Sequence, residues 1–134
     1  MPDNTKIQHS GPNDPKRIFV KRAGTFTGDA YGEPRITDTG IVTVNTVEFL
    51  PNSRTNWHHH ESGQILVITA GRGFVGTRDG TIYEVAAGDV VWTPPGLDHY
   101  HGARSDSYLV HEAVSIGETE WLEPVPDEVY GKKA

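Results

Sequence analysis

From Ile41 to Val114 the chain is a run of short, β-branched, alternating segments, most of them closed by a glycine or proline turn, and this pattern limits the fold more than any other feature. "IVTVNTVEFL" (41–50), "QILVITA" (64–70), "GFVGTR" (73–78), "TIYEVA" (81–86), "VVWT" (90–93), "DHYHGAR" (98–104) and "SYLVHEAV" (107–114) all read as strands. "DG" at 79–80 marks a hairpin, while "AGD" (87–89) and "PPG" (94–96) turn or break the chain. The 15 glycines and 9 prolines exceed what a helical bundle of 134 residues tolerates. Roughly seven to nine short strands at this spacing predict an all-β sandwich or small barrel. Residues 17–22 read as a short edge strand and 23–40 as loop. The expected organisation is an N-terminal arm over 1–22 and a single domain over 23–134. The tail from Gly117 onward is expected to lie across the surface, with Trp121 and Tyr130 as anchors.

The formal charge of −6, without a lysine or arginine cluster, excludes nucleic acid and anionic membranes as partners and leaves a small molecule. The N-terminus lacks the apolar core of a signal peptide, and no apolar run reaches the roughly 20 residues that span a bilayer, so a cytoplasmic location is expected. With no cysteine, there is neither a disulfide framework nor a thiolate, and any metal must be held by nitrogen and oxygen.

Strand periodicity then sorts the seven histidines. Residues two apart share a face of a strand, so His58 and His60 in "WHHHESGQ" point together and His59 points to solvent. His99 and His101 repeat the arrangement around Tyr100, and His111 shares its face with Leu109 and Ala113. Five imidazoles can therefore face one cavity, and a His-x-His pair presents two ring nitrogens at a separation that one borderline divalent ion bridges. Val42, Val44, Phe49, Leu66, Ile68, Leu109 and Ala113 are the candidate wall residues. Trp57, Trp92 and Tyr100 are read as core or interface packing, and Arg54 has no evident task.

These residues resemble the two motifs of the cupin superfamily. In the first motif, Asn52 stands at the opening glycine, His58 and His60 form the His-x-His, Gln64 stands at the glutamate and Gly71 at the closing glycine. In the second, Gly88, Pro94, Gly96 and His99 match, and Ala103 replaces the asparagine. The resemblance implies a jelly-roll β-barrel with a metal at its mouth. "WHHHESGQ", "GDVVWTPPGLDHYHGA" and "HEAV" further resemble the small bacterial cupins that include manganese-dependent hydroxynitrile lyases.

Carried over by position, that resemblance implies His58, His60, Gln64 and His99 as metal ligands, with His101 and His111 facing the substrate as acid–base groups. The implied cofactor is one divalent ion, Mn first, with Fe, Ni, Zn or Cu as alternatives. With Gln64 in place of a carboxylate, the ion keeps its full double charge and polarises a substrate oxygen more strongly. The expected reaction is reversible cyanohydrin cleavage, with His111 preferred over His101 as base because its strand neighbours place it deeper. A cupin dioxygenase using Fe, Mn or Cu with O₂ and a non-enzymatic metal- or ligand-binding module are the alternatives. The resemblance also implies a homodimer or higher homo-oligomer, with residues 17–22 available for strand exchange.

Overall fold

The computed structural model describes residues 3–9 and 17–132 and contains no helix among them. Twelve strands follow in chain order: Val20–Lys21 (β1), Phe26–Thr27 (β2), Ala30–Ile36 (β3), Val42–Phe49 (β4), Arg54–Thr55 (β5), His58–His60 (β6), Gln64–Thr77 (β7), Ile82–Ala86 (β8), Val90–Thr93 (β9), His99–Ala103 (β10), Leu109–Ile116 (β11) and Thr119–Trp121 (β12). The main path runs β1-β3-β4-β11-β7-β10-β5-β2, and every pairing is antiparallel. This is the expected all-β jelly roll.

β7 joins the two halves. Residues 64–71 pair with β11, and residues 72–77 pair with β8 or β10, so two stretches expected as separate strands are one bent strand. The bend falls at Gly71, whose φ is +78° and where a Cβ would overlap the Tyr108 carbonyl. Only glycine satisfies both conditions. Asn52, at the position where the resembled motif carries glycine, has φ 66°. Asparagine is the non-glycine residue that tolerates this region best, so the substitution keeps the turn.

Two segments differ from expectation. Residues 26–27 and 30–36, expected as loop, form β2 and β3. Their glycine and proline content hid the pattern, and Pro34 is accommodated at a register shift between Pro34 and Ile36 against β4. The tail is also more than surface packing. Thr119–Trp121 pairs with β6, while Val125 and Tyr130 are buried with Trp57 and Tyr100 in a second core. Residues 1–2 and 10–16 of the expected arm lie outside the described residues. Val20–Lys21 pairs with Gly32 and Tyr31 of the same chain.

Arg54, without an evident task in sequence, is 2% exposed and clamps this tail. Its Nη2 donates to the Val125 carbonyl at 2.7 Å and to Asp127 Oδ1 at 2.6 Å, and its guanidinium lies 4.8 Å from the Tyr130 ring centre. Tyr130 Oη donates to the Ala103 carbonyl at 2.7 Å and so ties the tail to β10. Tyr130→Phe removes that buried bond and is expected to cost about 1–2 kcal/mol, seen as a fall of roughly 3–8 °C in Tm by calorimetry.

The inward faces of β4, β11 and β7 stack in register. Phe49 and Leu109 form one layer, Val47, His111 and Ile68 the next, then Asn45, Ala113 and Leu66, and last Thr43, Ser115 and Gln64. The barrel interior therefore changes along its axis from apolar to polar, and the polar end holds the site.

Candidate metal centre

His58 and His60 are buried on β6 while His59 turns outward, as the period of two requires. His59 is held at the surface by Asp98 at 2.8 Å and Glu120 at 3.1 Å. β10 pairs with β6 through His99 and His58, which brings the third imidazole alongside. The ring centres lie 4.3 Å apart for His58 and His99, 5.0 Å for His58 and His60, and 5.4 Å for His60 and His99. One ligand atom from each of the three lies within 4.8 Å of the others.

The hydrogen bonds behind these rings set their orientation. His58 Nδ1 lies 2.9 Å from the Asn56 carbonyl, and His99 Nδ1 lies 3.0 Å from the Leu97 carbonyl. A carbonyl only accepts, so both rings carry their proton on Nδ1 and turn an Nε2 lone pair inward. His60 Nδ1 meets Thr119 Oγ1 at 2.9 Å. The Nε2 atoms of His58 and His60 are buried without a protein partner.

Gln64 completes the arrangement. Its Nε2 donates to Ser115 Oγ at 3.0 Å, which directs Oε1 toward His99 Nε2 at 3.2 Å. With His99 neutral and protonated on Nδ1, these are two acceptors facing each other, an unfavourable contact that a shared cation would resolve. Two inward lone pairs, the unpartnered His60 Nε2 and one amide oxygen can supply the donor set of a borderline divalent ion, so the residues fit a metal.

His101 and His111 sit beside this cluster. His111 Nε2 lies 3.0 Å from His101 Nδ1, so one proton is shared between the rings, and His101 Nε2 and His111 Nδ1 have no partner. The His101 ring lies 5.1 Å from His58 and 5.6 Å from His99, while His111 packs on Phe49 at 5.3 Å. At 4% and 0% exposure, depth does not separate the two as base.

A cavity of about 290 Å³ opens over His58, His60, Gln64, His101 and His111. Of the seven expected wall residues only Ala113 lines it. Phe49, Leu66, Ile68 and Leu109 belong to the core below. Val42 and Val44 face away, because the inward set on β4 is Thr43, Asn45 and Val47. Trp57 and Tyr100 are core, whereas Trp92 is 54% exposed. Arg22, Phe26 and Trp121 were not anticipated as walls. Phe26 and Trp121 pack at 5.8 Å, and Trp121 lies 4.6 Å from His58.

Burial pushes His60, His99 and His111 down to about 4, and holds His58 and His101 well below the usual imidazole range. Unfolded, each takes up a proton near pH 6.5. Between these values the unfolded chain binds more protons, so the stability of metal-free protein falls as pH drops from about 6.5 toward 4. For His60, His99 and His111 this is roughly 3 kcal/mol each, and His58 and His101 act in the same direction, so the loss is large beside the roughly 5–15 kcal/mol that holds a typical domain together. Chelator-treated protein is expected to unfold by circular dichroism before pH 4 is reached, and metal-loaded protein at lower pH.

The cupin domain family matches residues 45–115, which contain every residue of the centre. Over 126 residues the chain is 38% identical to an (R)-mandelonitrile lyase of Granulicella tundricola, covering 86% of this chain and 96% of that one. A cupin-like protein from Thermotoga maritima superposes with a TM-score of 0.75 at 36% identity, covering 96% of this chain and 95% of that one. The polyketide cyclase RemF from Streptomyces resistomycificus shares the fold, with a TM-score of 0.71 at 19% identity over 90% and 87% of the two chains. No helix among the described residues is long and apolar enough to cross a membrane. Barrel, motif residues and relatives agree that this chain belongs to the cupin family.

Proposed function

We propose that the protein is a metal-dependent cyanohydrin lyase, in which His58, His60, His99 and Gln64 hold one divalent ion and the His101–His111 pair moves the proton. The observation that carries this reading is the 38% identity to an (R)-mandelonitrile lyase across nearly the whole of both chains. The geometry supports it, because His58, His60 and Gln64 of the cluster line one cavity with the separate His101–His111 pair. Manganese is the proposed ion on the resemblance to manganese-dependent cupin lyases; imidazole and amide ligands without thiolate leave Fe, Ni, Zn and Cu as alternatives.

When bound, the ion supplies a positive charge that acidifies a substrate hydroxyl without a carboxylate ligand to offset it. A free imidazole nitrogen of the pair takes the hydroxyl proton. The carbon–cyanide bond then breaks with its electron pair leaving on cyanide, and the carbonyl double bond forms. The pair returns the proton to cyanide, so an aldehyde and hydrogen cyanide leave with atoms and charge balanced. Both imidazoles start neutral because they are buried, which leaves a lone pair free to accept. Phe26 and Trp121 offer a flat wall for an aromatic substituent.

Manganese-loaded protein given mandelonitrile under anaerobic conditions is expected to release benzaldehyde and cyanide in equal amounts. No release under these conditions, whether turnover then appears only when oxygen is admitted and consumed or not at all, would overturn the lyase reading in favour of an oxygenase or a binding module. The protein is further proposed to act in the cytoplasm as a homo-oligomer on a small molecule.

A further inference from the structure

The cavity wall carries a single fixed charge, and that charge is positive. Arg22, directly after β1, lines the cavity, and among the described residues no aspartate or glutamate does. Its seat is built: a Cβ at Gly32 on the neighbouring β3 would overlap the guanidinium, so a residue without a side chain makes room for it. Among the described residues the Arg22 side chain meets no carboxylate and makes no hydrogen bond. By contrast, Arg17, Arg54, Arg78 and Arg104 each hold a carboxylate oxygen between 2.6 and 2.9 Å. In a chain of net charge −6, an arginine left without a carboxylate at a cavity mouth is a recognition group in waiting.

The rest of the wall agrees. Thr25, Thr43, Asn45, Ser115 and Thr119 give the cavity a hydroxyl- and amide-rich lining. Beside the Phe26 and Trp121 wall, such a surface can accommodate a ligand that carries a polar end as well as an aromatic one. With an ion at the histidine cluster, the cavity holds two separate positive charges and no negative one, so its complement is a ligand with two anionic or partly anionic ends.

We infer that Arg22 is a specificity-determining residue that binds a carboxylate at the end of the substrate remote from the reacting hydroxyl. The substrate class is then small hydroxy or carbonyl compounds that also carry a carboxylate. The inference rests on reading the histidine cluster as the metal-dependent reaction centre proposed above.

Its test is calorimetric titration of manganese-loaded protein with 4-(hydroxymethyl)benzoate and its neutral isostere 4-(hydroxymethyl)benzamide. Wild-type protein is expected to bind the benzoate at least about ten-fold more tightly. Arg22→Gln is expected to reduce that ratio to within about two-fold, and Arg22→Lys to keep part of it, each with full metal content. Equal binding of the two compounds by wild type overturns the inference. So does a preference that survives Arg22→Gln, since the carboxylate would then be sitting on the metal. If mandelonitrile releases no cyanide while the Arg22-dependent preference persists, the lyase reading fails and the anion site stands.

Discussion

His58→Ala is expected to empty the centre of metal and to lower cyanide release from mandelonitrile by at least about 10³-fold, with the barrel retained. His58 is the hub of the cluster. Its ring is within 4.3 Å of His99, 5.0 Å of His60 and 5.1 Å of His101. Its Nε2 has no protein partner, so the substitution deletes a proposed ligand and breaks no bond on that side of the ring. On the other side only the Asn56 carbonyl loses its donor. The Lewis-acid contribution of a metal is several kcal/mol, and about 4 kcal/mol corresponds to the stated factor. The stability of the metal-free variant should change in the opposite sense at low pH. One buried imidazole that resists protonation is gone, so whatever stability metal-free His58→Ala lacks beside metal-free wild type at about pH 7 should shrink as pH falls toward about 5.

Gln64→Glu supplies the contrasting arm. A carboxylate at the position of Oε1 binds the cation more tightly but cancels one unit of its charge. Metal content is expected to hold or rise while turnover falls about ten-fold or more. Metal analysis beside kinetics separates the two variants. Equal activity in Gln64→Glu would show that the amide ligand has no part in acidifying the substrate.

The histidines were legible in sequence because a strand has a period of two. His58 and His60, or His99 and His101, cannot share a strand without sharing a face. Turn residues between Ile41 and Val114 were legible for the same local reason, and even the asparagine that replaces a motif glycine proves to occupy a left-handed position. What failed was information held by distant partners. β3 reads as loop because Gly32, Glu33 and Pro34 have low strand propensity, yet pairing with both β1 and β4 overrides it. The inward phase of β4 was misread because its polar inward residues, Thr43 and Asn45, are interleaved with Val42 and Val44 on the other face. Apolar alternation marks a core face only where the core is apolar, and here the interior turns polar toward the site. Arg22, Phe26 and Trp121 come from the two ends of the chain, so no local window could place them on one cavity.

His101 and His111 are expected to behave as one catalytic unit. A single hydrogen bond of 3.0 Å links them, both rings are neutral because they are buried, and each has one nitrogen without a partner. A proton gained by one ring at its free nitrogen is stabilised only if the other accepts from or reorients toward it, so removing either ring disables the transfer. His101→Ala and His111→Ala are each expected to lower kcat by about 10²- to 10⁴-fold with metal content unchanged. The double variant should lose no more than the more damaged single variant. His111→Gln, which can present an amide to His101 Nδ1, should recover part of the loss by holding the His101 ring in place. If the two single losses multiply in the double variant, the residues act separately and the shared-proton unit is wrong. If metal is lost from either single variant, that residue belongs to the ligand set instead.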